Sequence, residues 1–423
     1  MTNDPAIDSH TGTPLWHSQA HMPSVMRDEL VLVRGEGAYV WDATGRRLLD
    51  VPASLWYANI GHGRAEIAAA VAAQMRELET YSTFGRFATL PALELAGWVS
   101  EHVPLEQPKV FLTSGGGDSV DTAAKLARRY WHAMGAPDKQ VILTRERAYH
   151  GLHGFGTSIT GLAANLEGLG PLIQHTERVP TSDVAAVRKR FEDEHDRIAA
   201  LFVEPVIGTG GVILPEPGYL QAIEQLCRDY DVLFIVDEVI TGFGRTGEWF
   251  ACDRFGLNPD ILLLAKGITS GYMPLGAVVI SRRVWEPFWR DGSDLVFRHG
   301  ITYSGHASAC VAALRNIEIL RDERLVENVA ALGELFTETL KALARAPLVK
   351  EVRAGVGFLA GVELEDAAIA ERVARAALDH GLLLRVISNT TLQVSPPLVV
   401  SSGDIAFLAR GLEAALNDVQ TSG

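Results

Sequence analysis

Lys266 stands at the end of an apolar run, Ile261–Ala265, which the sequence predicts to be a buried strand of a parallel sheet. A second apolar run, Leu233–Val236, ends in the same way on two acids, Asp237 and Glu238. Because open α/β sheets bind ligands at the carboxyl ends of their parallel strands, the amine and the acid pair would meet at one sheet edge. That edge is the candidate site of chemistry.

An amine beside a carboxylate suits one kind of covalent chemistry in particular. Desolvation at a strand end lowers the pKa of an ammonium, so Lys266 would be neutral more readily and could condense with an aldehyde to give a Schiff base. A carboxylate at Asp237 could hold a pyridine nitrogen protonated, which lets the ring accept electrons. Taken singly, a rim lysine at Lys266 and a helix cap or ion pair at Asp237 are the simpler interpretations.

A glycine-rich stretch from Thr113 to Ser119 follows another apolar run and precedes a helical pattern from Val120 to about Ala133. Backbone N–H groups and a helix N-terminus would converge there, which is an anion-binding geometry. The stretch lacks the Gly-Lys-Ser/Thr ending of a nucleotide P-loop and the full spacing of a dinucleotide fingerprint, so it favours one phosphate of a cofactor. Alone, it could equally be a connecting turn.

The elements that would position these residues have the pattern of an α/β fold. Between about Asn59 and Ser304, short apolar runs alternate with helical patterns, which indicates a mostly parallel sheet. A helix from Tyr219 to Tyr230 has apolar residues at helical spacing after a Pro-Gly start. The predicted strands are Val110–Leu112, Val141–Leu143, Ala200–Val203, Leu233–Val236, Ile261–Leu264 and Ala277–Ile280.

The rest of the chain predicts linking helices and a smaller α+β domain. Residues 305–344 are rich in Ala, Leu, Glu and Arg, as long helices are. The strands predicted for the small domain, including an N-terminal hairpin packed on it, are Phe358–Leu364, Leu382–Val386, Leu392–Val394, Gly37–Asp42 and Arg47–Asp50. The predicted divisions are an N-terminal segment 1–58, a large domain 59–304, and a linking helix with a C-terminal small domain 305–423.

The composition of the chain indicates which classes of partner it can bind. The chain has 423 residues, 47% of them hydrophobic, and a net charge of -14, which favours a globular protein that binds small molecules and not nucleic acid. Its three cysteines are too few and too scattered for a disulfide framework or a metal site, so a reducing cytoplasm is expected. Residues 1–5 show no start of an export leader, and no apolar stretch has membrane-spanning length.

Eight motifs, in the same order along the chain, make it resemble the class III pyridoxal-phosphate-dependent aminotransferases, which include ω-amino acid and amine:pyruvate transaminases. The resemblance covers nearly the whole chain. It implies fold type I, with a mostly parallel sheet of the seven-stranded type and a small domain formed by both termini. The motifs are Leu55-Trp56, Gly61-His62-Gly63, Tyr149-His150-Gly151, Glu204-Pro205, Asp237-Glu238-Val239, Gly242-Phe243-Gly244-Arg245-Thr246-Gly247, Leu264-Ala265-Lys266-Gly267 and Thr302-Tyr303-Ser304-Gly305-His306.

The resemblance implies pyridoxal 5'-phosphate as the cofactor. Lys266 would form the Schiff base and then move the proton between substrate and cofactor carbons, while Asp237 would pair with the pyridinium nitrogen. Tyr149 and Val239 would cover the two faces of the ring, an aromatic stack opposite a compact branched contact. Glu204 would organise the site beneath the cofactor.

The phosphate would be held by backbone groups at Gly116 and Gly117. Gly117 stands where close relatives usually carry a serine, so the resemblance implies one hydroxyl fewer on the phosphate. Thr302 would add a hydroxyl from the neighbouring subunit. That role requires a homodimer whose site is shared across the interface.

The resemblance also implies three residues of the substrate pocket. Trp56 would line the pocket entrance, and Gly85, where an aromatic often follows Phe84, would open room. Arg385 matches an arginine that moves in to bind a carboxylate or away to admit an apolar group, a role suited to its bidentate fork. An exposed strand arginine is the alternative interpretation of Arg385.

The function expected on these grounds is transfer of the amino group of a primary amine or ω-amino acid to a keto acid, with pyruvate as the acceptor, by a ping-pong mechanism. A diamine or γ-aminobutyrate transaminase that uses 2-oxoglutarate, an aminomutase and a decarboxylating transaminase would share the cofactor residues. A non-catalytic cofactor-binding protein is disfavoured by the joint presence of Lys266, Asp237 and Tyr149.

Overall fold

The structure is a computed structural model that describes residues 14–422; the N-terminal residues at which no export leader was expected lie outside this range. The strands, in chain order, are β1 Leu32–Glu36, β2 Tyr39–Asp42, β3 Arg47–Asp50, β4 Lys109–Thr113, β5 Val141–Arg145, β6 Thr176–Val179, β7 Ile198–Val203, β8 Leu233–Asp237, β9 Ile261–Leu264, β10 Gly276–Ile280, β11 Val349–Val356, β12 Leu359–Leu364, β13 Leu382–Leu383, β14 Arg385–Ile387 and β15 Thr391–Val394.

The α-helices are α1 Met22–Val25, α2 Ala53–Trp56, α3 Ala65–Leu78, α4 Leu90–His102, α5 Gly116–Ala133, α6 Gly154–Ile159, α7 Val184–Glu194, α8 Tyr219–Asp229, α9 Ala251–Phe255, α10 Arg282–Trp289, α11 Ala307–Asp322, α12 Leu325–Lys341, α13 Ala367–Ala376 and α14 Ser402–Thr421. Short 3-10 helices are Ala163–Asn165, Lys266–Ile268, Ala342–Arg345 and Ala377–His380. None of the helices within residues 14–422 has both the length and the apolar character needed to cross a membrane.

A seven-stranded sheet in the order β4-β10-β9-β8-β7-β5-β6 forms the centre of the fold. β10 is antiparallel to both of its neighbours, and the other pairs within the sheet are parallel. This confirms the predicted α/β class and the mostly parallel seven-stranded sheet. The six strands predicted for this region all exist, whereas β6 was not predicted because Thr176–Val179 contains two charged residues and no apolar run.

Helices cover both faces of this sheet, which explains why its strands are apolar on both sides. In β8, Phe234 and Val236 belong to one hydrophobic cluster, while Leu233 and Ile235 belong to a second cluster on the opposite face. Side chains of a strand alternate between faces, so a continuous Val, Ile, Leu and Phe run is needed when both faces are buried. In β8 the same burial leaves a polar residue only at the end of the strand, at Asp237.

Two four-stranded sheets flank the central one, in the orders β1-β2-β3-β13 and β11-β12-β15-β14. The predicted hairpin exists as β2 and β3, and β3 pairs in parallel with β13, so the N-terminal strands join the C-terminal part of the chain. The predicted single strand Leu382–Val386 was wrong, because the chain divides at Leu384 between two different sheets. β11, which alternates charged and apolar residues, was not predicted.

Candidate active site

The carboxyl ends of β4, β8 and β9 lie at one edge of the central sheet, and they open into a cavity of about 400 Å³. Seven of the residues predicted for the site line this cavity together. They are Gly116, Gly117, Tyr149, Glu204, Asp237, Val239 and Lys266. A parallel sheet therefore gathers side chains that are up to 150 residues apart in the sequence (from Gly116 to Lys266).

Lys266 follows β9 in a short 3-10 helix with a φ of +47°, in the left-handed region that non-glycine residues rarely adopt. Such backbone conformations persist where the surrounding structure holds them and are common at functional sites. Burial lowers the pKa of the Lys266 ammonium from 10.5 to about 8, although the carboxylates of Asp237 and Glu204 act against that shift. Lys266 is therefore neutral more readily than an exposed lysine, although the ammonium form still predominates at pH 7.

Asp237 ends β8 and has its carboxylate fixed from two sides. Nδ1 of His150 donates to Oδ2 over 2.7 Å, and the backbone N–H of Val239 donates to Oδ1 over 3.0 Å. The other ring nitrogen of His150 lies 3.1 Å from the Thr144 hydroxyl on β5. His150 belongs to the Tyr149-His150-Gly151 motif, but no role was predicted for it. Only the fold shows that it reaches Asp237.

Glu204 lies one residue beyond β7 and is buried beside the same cluster. Its two carboxylate oxygens accept backbone N–H groups, from Tyr149 at 2.9 Å and from Gly208 at 2.9 Å. Burial raises the pKa of the Glu204 carboxyl, opposed mainly by nearby His150. Glu204 thus fixes the backbone that carries Tyr149.

The floor of the cavity at the glycine-rich stretch is the N-terminus of α5, which begins at Gly116. A Cβ on Gly116 would lie 3.0 Å from Cγ1 of Val239, and a Cβ on Gly117 would lie 3.1 Å from the ring of His153. Side chains at these positions would fill the space in front of the helix. The glycines therefore keep free backbone N–H groups facing the cavity.

Tyr149 is partly buried on the wall of the cavity. Burial raises the pKa of the Tyr149 hydroxyl, while Arg385 and a side-chain hydrogen bond from Gln19 act in the opposite direction. Gln19 was not predicted as a site residue, since nothing in its local sequence marks it. Its approach depends on how the N-terminal segment crosses the molecule.

Trp56, which the resemblance placed at the pocket entrance, is buried, with only 2% of it exposed. Its ring centroid is 5.0 Å from Nζ of Lys266 and 5.2 Å from Cζ of Arg385. A tight turn with φ values of +46° at Ala53, +56° at Ser54 and +61° at Trp56 folds the indole inward. Trp56 thus forms a shared contact for the two cations.

Arg385 begins β14 and lines a second cavity, of about 540 Å³, that also contains Tyr57. The alternative of an exposed strand arginine is wrong, because the side chain is partly buried and burial lowers the pKa of its guanidinium. Within residues 14–422 it makes one hydrogen bond, from Nη1 to Oε1 of Gln393 over 3.3 Å. Four of the five N–H donors of the guanidinium remain for a ligand.

Gly85 and Thr302 lie away from Lys266 within a single chain. Gly85, with a φ of +70°, is in an exposed loop between α3 and α4 and lines a separate cavity of about 760 Å³ together with Phe84. Within one chain, Gly85 therefore does not line the cavity that contains Lys266. Thr302 is exposed to solvent.

Residues 22–416 of the chain match the sequence model of the protein family aminotransferase class-III. The chain belongs to the class-III aminotransferases. Its cofactor is pyridoxal 5'-phosphate, as in the other members of this family.

The similar proteins and solved structures include amine transaminases and ω-transaminases. The putrescine–pyruvate aminotransferase of Pseudomonas aeruginosa is 36% identical over 404 residues, covering 89% of this chain and 88% of that protein. A thermostable (S)-enantioselective ω-transaminase from Thermomicrobium roseum superposes with a TM-score of 0.91 at 40% identity, over 95% of this chain and 96% of that one. A pyridoxal-phosphate-bound amine transaminase from an uncultivated Pseudomonas species gives a TM-score of 0.90 at 36% identity, over 96% and 99%.

The cavity of this class-III aminotransferase fits the cofactor on its own chemistry. It offers a helix N-terminus with two glycines for an anion, a fixed carboxylate for a protonated ring nitrogen, and an amine of lowered pKa for an aldehyde. Val239 and Tyr149 line the space between these groups. Within residues 14–422, no cluster of three or more His, Cys, Asp or Glu side chains is arranged to hold a metal ion.

Proposed function

We propose that this aminotransferase moves the amino group of a primary amine or ω-amino acid to pyruvate, by a ping-pong mechanism in which both half-reactions use one site. The observation that carries the proposal is the shared contact of Lys266 and Arg385 with the indole of Trp56. A keto acid offers a carbonyl to the amine and a carboxylate to the guanidinium, so two cations that contact one indole suit an acceptor of this class.

Lys266 and Asp237 would do the chemical work. When bound, pyridoxal phosphate supplies an aldehyde that exchanges amines and a ring that takes up the electron pair left by a departing proton. Lys266 would hold the cofactor and then, as a free amine, carry the proton at Nζ between two carbons. Asp237 would keep a proton on the ring nitrogen through its Oδ oxygens, which His150 and Val239 already orient.

The remaining residues would hold the ring and its phosphate. Tyr149 and Val239 would contact the two faces of the ring, and backbone N–H groups of Gly116 and Gly117 would bind the phosphate. Glu204 would keep Tyr149 in position through the backbone N–H that it accepts.

The enzyme would work as a homodimer with a shared site. Thr302 is exposed in the single chain, and its hydroxyl would complete the phosphate site of the neighbouring subunit. Gly85 would border the neighbour's substrate pocket in the same way. A soluble cytoplasmic location is proposed because all three cysteines are free and buried.

Arg385 would bind the carboxylate of the keto acid. It is a partly buried cation with one hydrogen bond to the rest of residues 14–422, so a carboxylate would satisfy donors that these residues leave without a partner. A bidentate contact of this kind is among the stronger polar interactions in proteins. Donors without a carboxylate would instead meet the indole of Trp56, at which Arg385 already lies.

The test is a panel of donors with two acceptors. β-Alanine, taurine, γ-aminobutyrate, putrescine and 1-phenylethylamine would each be assayed with pyruvate and with 2-oxoglutarate, and kcat/KM compared. The proposal expects pyruvate to be the better acceptor with every accepted donor. A preference for 2-oxoglutarate would contradict the pyruvate assignment and favour a diamine or γ-aminobutyrate transaminase.

The same assays would detect two alternative activities. An aminomutase would convert a single amino acid without consuming a keto acid, and a decarboxylating transaminase would release carbon dioxide from the donor. Turnover of alanine as the sole donor with butanal as the acceptor, forming pyruvate and butylamine and no carbon dioxide, would exclude both.

A further inference from the structure

Gln393 is a polar side chain with no exposed surface, in the middle of β15. Its Cα is the direct ladder partner of Arg385 in the antiparallel pair β14 and β15. Side chains of directly opposed residues point to the same face of a sheet and interact. The register therefore brings the Gln393 amide to the guanidinium of Arg385.

Hydrogen bonds fix the orientation of this amide. Nε2 donates to the backbone oxygen of Pro52 over 3.0 Å and to the hydroxyl of Ser395 over 2.7 Å. A primary amide has two N–H donors and one oxygen. With both donors directed at Pro52 and Ser395, Oε1 is the atom left for Nη1 of Arg385, 3.3 Å away.

The same amide reaches the segment that carries Trp56. Pro52 is the residue before α2, which ends at Trp56. Gln393 therefore joins the start of that turn to the strand that begins with Arg385. Cζ of Arg385 lies 5.2 Å from the centroid of the Trp56 ring at the end of the same turn.

We propose that Gln393 is a positioning residue for substrate carboxylates: it accepts one N–H of Arg385, holds the guanidinium beside Trp56, and leaves the other donors for the keto acid. The inference rests on the proposed role of Arg385 in carboxylate binding. An amide suits this task because it is neutral, so the positive charge of Arg385 stays available to a ligand. A carboxylate at this position would form an ion pair with Arg385 and compete with the substrate.

The experiment compares a keto acid with an aldehyde that has no carboxylate. The wild type, Gln393→Met, Ser395→Ala and Arg385→Ala would be assayed with 1-phenylethylamine as donor and with pyruvate or butanal as acceptor. Methionine matches the length of glutamine but offers neither an amide oxygen nor N–H donors. The quantity measured is the ratio of kcat/KM for pyruvate to kcat/KM for butanal.

Loss of positioning would affect the carboxylate substrate selectively. Gln393→Met is expected to lower the ratio about tenfold, mainly through a higher KM for pyruvate, because a misdirected guanidinium weakens binding more than chemistry. Ser395→Ala removes only one acceptor of the Gln393 amide and is expected to lower the ratio about two- to threefold. A purely structural role would lower both activities together and leave the ratio unchanged.

The Arg385→Ala variant distinguishes failure of the inference about Gln393 from failure of the proposed role of Arg385. If it lowers the ratio and Gln393→Met does not, the inference about Gln393 is wrong and the proposed function stands. If Arg385→Ala also leaves the ratio unchanged, the proposed role of Arg385 fails and the inference falls with it. Should Gln393→Met not fold, the ratio in Ser395→Ala decides in the same way, since that variant keeps the glutamine.

Discussion

His150 and Asp237 form a buried pair whose Nδ1 and Oδ2 atoms are 2.7 Å apart, with side chains that are 0% and 6% exposed. The pair spans two strands of the central sheet, because His150 follows β5 and Asp237 ends β8. The imidazole donates to one carboxylate oxygen while the Val239 backbone donates to the other. The direction in which Asp237 presents its charge is therefore fixed before any cofactor binds.

Replacing Asp237 by asparagine should remove most of the activity. The amide is neutral and cannot stabilise a proton on a ring nitrogen, so kcat should fall by about 10³-fold, the size of loss expected when a fixed charge is removed from a reacting site. Measurement of kcat with saturating pyridoxal phosphate would separate this loss from poor cofactor retention.

Glu238 provides the matched control for Asp237. Its carboxylate accepts the backbone N–H groups of Ala251 and Cys252 and does not line the cavity. Glu238→Gln should therefore keep kcat within about threefold of the wild type, since a substitution outside the reacting site acts on stability and not on chemistry. Equal losses in the two variants would contradict the proposed role of Asp237.

His150→Ala tests the support of Asp237. Without the Nδ1 donor, the carboxylate loses one of its two fixed contacts, and residues that orient a reactive group in this way typically contribute about 10- to 100-fold. We expect a fall in kcat of that size with little change in the KM for pyruvate. His102→Ala, at an exposed histidine that contacts the backbone oxygen and the ring of Trp98, is the control and should behave as the wild type.

The lowered pKa of Lys266 predicts how the cofactor-free enzyme captures pyridoxal phosphate. Only the neutral amine attacks an aldehyde, so the capture rate should rise with pH and reach half its maximum near the Lys266 pKa of about 8. Stopped-flow absorbance would give the profile, and borohydride treatment followed by peptide mapping should find the label on Lys266. A half-maximum near 10.5 would show that the amine is not desolvated.

The lowered pKa of Lys266 should also make the stability of the cofactor-free protein increase with pH. The pKa of Lys266 is lower in the folded chain than the ordinary value of 10.5, so the unfolded chain binds more protons between about pH 8 and 10.5. The free energy of unfolding should therefore increase as pH rises through this window. Below the window, the cost of burying the charged Lys266 ammonium is fully present. Lys266→Met should abolish that rise, measured by urea unfolding at pH 7.5, 8.5 and 9.5.

Part of this architecture could be read from local sequence. Ile261–Leu264 and Leu233–Val236 are apolar on both faces, so their strands and the polar residues at their ends were predictable. Leu382–Val386 is also apolar apart from Arg385, yet it divides between two sheets because β3 pairs with Leu382 and Leu383, whereas β15 pairs with Arg385. That choice depends on partners more than 300 residues away for β3, which no local pattern encodes.

The candidate site, too, could be predicted from local sequence only in part. Lys266, Asp237 and Gly116 could be predicted because strand ends and helix starts bring them to the sheet edge. His150, Gln19 and Gln393 could not, because each side chain has a partner far away in sequence, which is Asp237, Tyr149 and Pro52 respectively. Gln393 in particular has the local pattern of a strand residue, and its polar partners become visible only in the β14–β15 register.

Arg245 should stabilise the packing of the segment after β8 against the segment that follows β15. Its side chain is 0% exposed; Nη1 donates to the backbone oxygens of Ser395 and Pro396, and Nη2 donates to Oδ1 of Asn59 over 2.8 Å. Burial lowers the pKa of Arg245 to about 9, which reflects the cost of enclosing this charge. Arg245→Met would relieve that cost but leave three buried acceptors without donors.

The loss of these donors should be the larger effect, and we expect the free energy of unfolding to fall by about 3 kcal/mol. Arg254→Met, at an exposed arginine that donates to Thr246, is the matched control and should cost less than about 1 kcal/mol. Asn59→Ala combined with Arg245→Met should destabilise less than the sum of the single changes, since both remove the same hydrogen bond. Additive losses in urea unfolding would mean that the two side chains stabilise the fold independently.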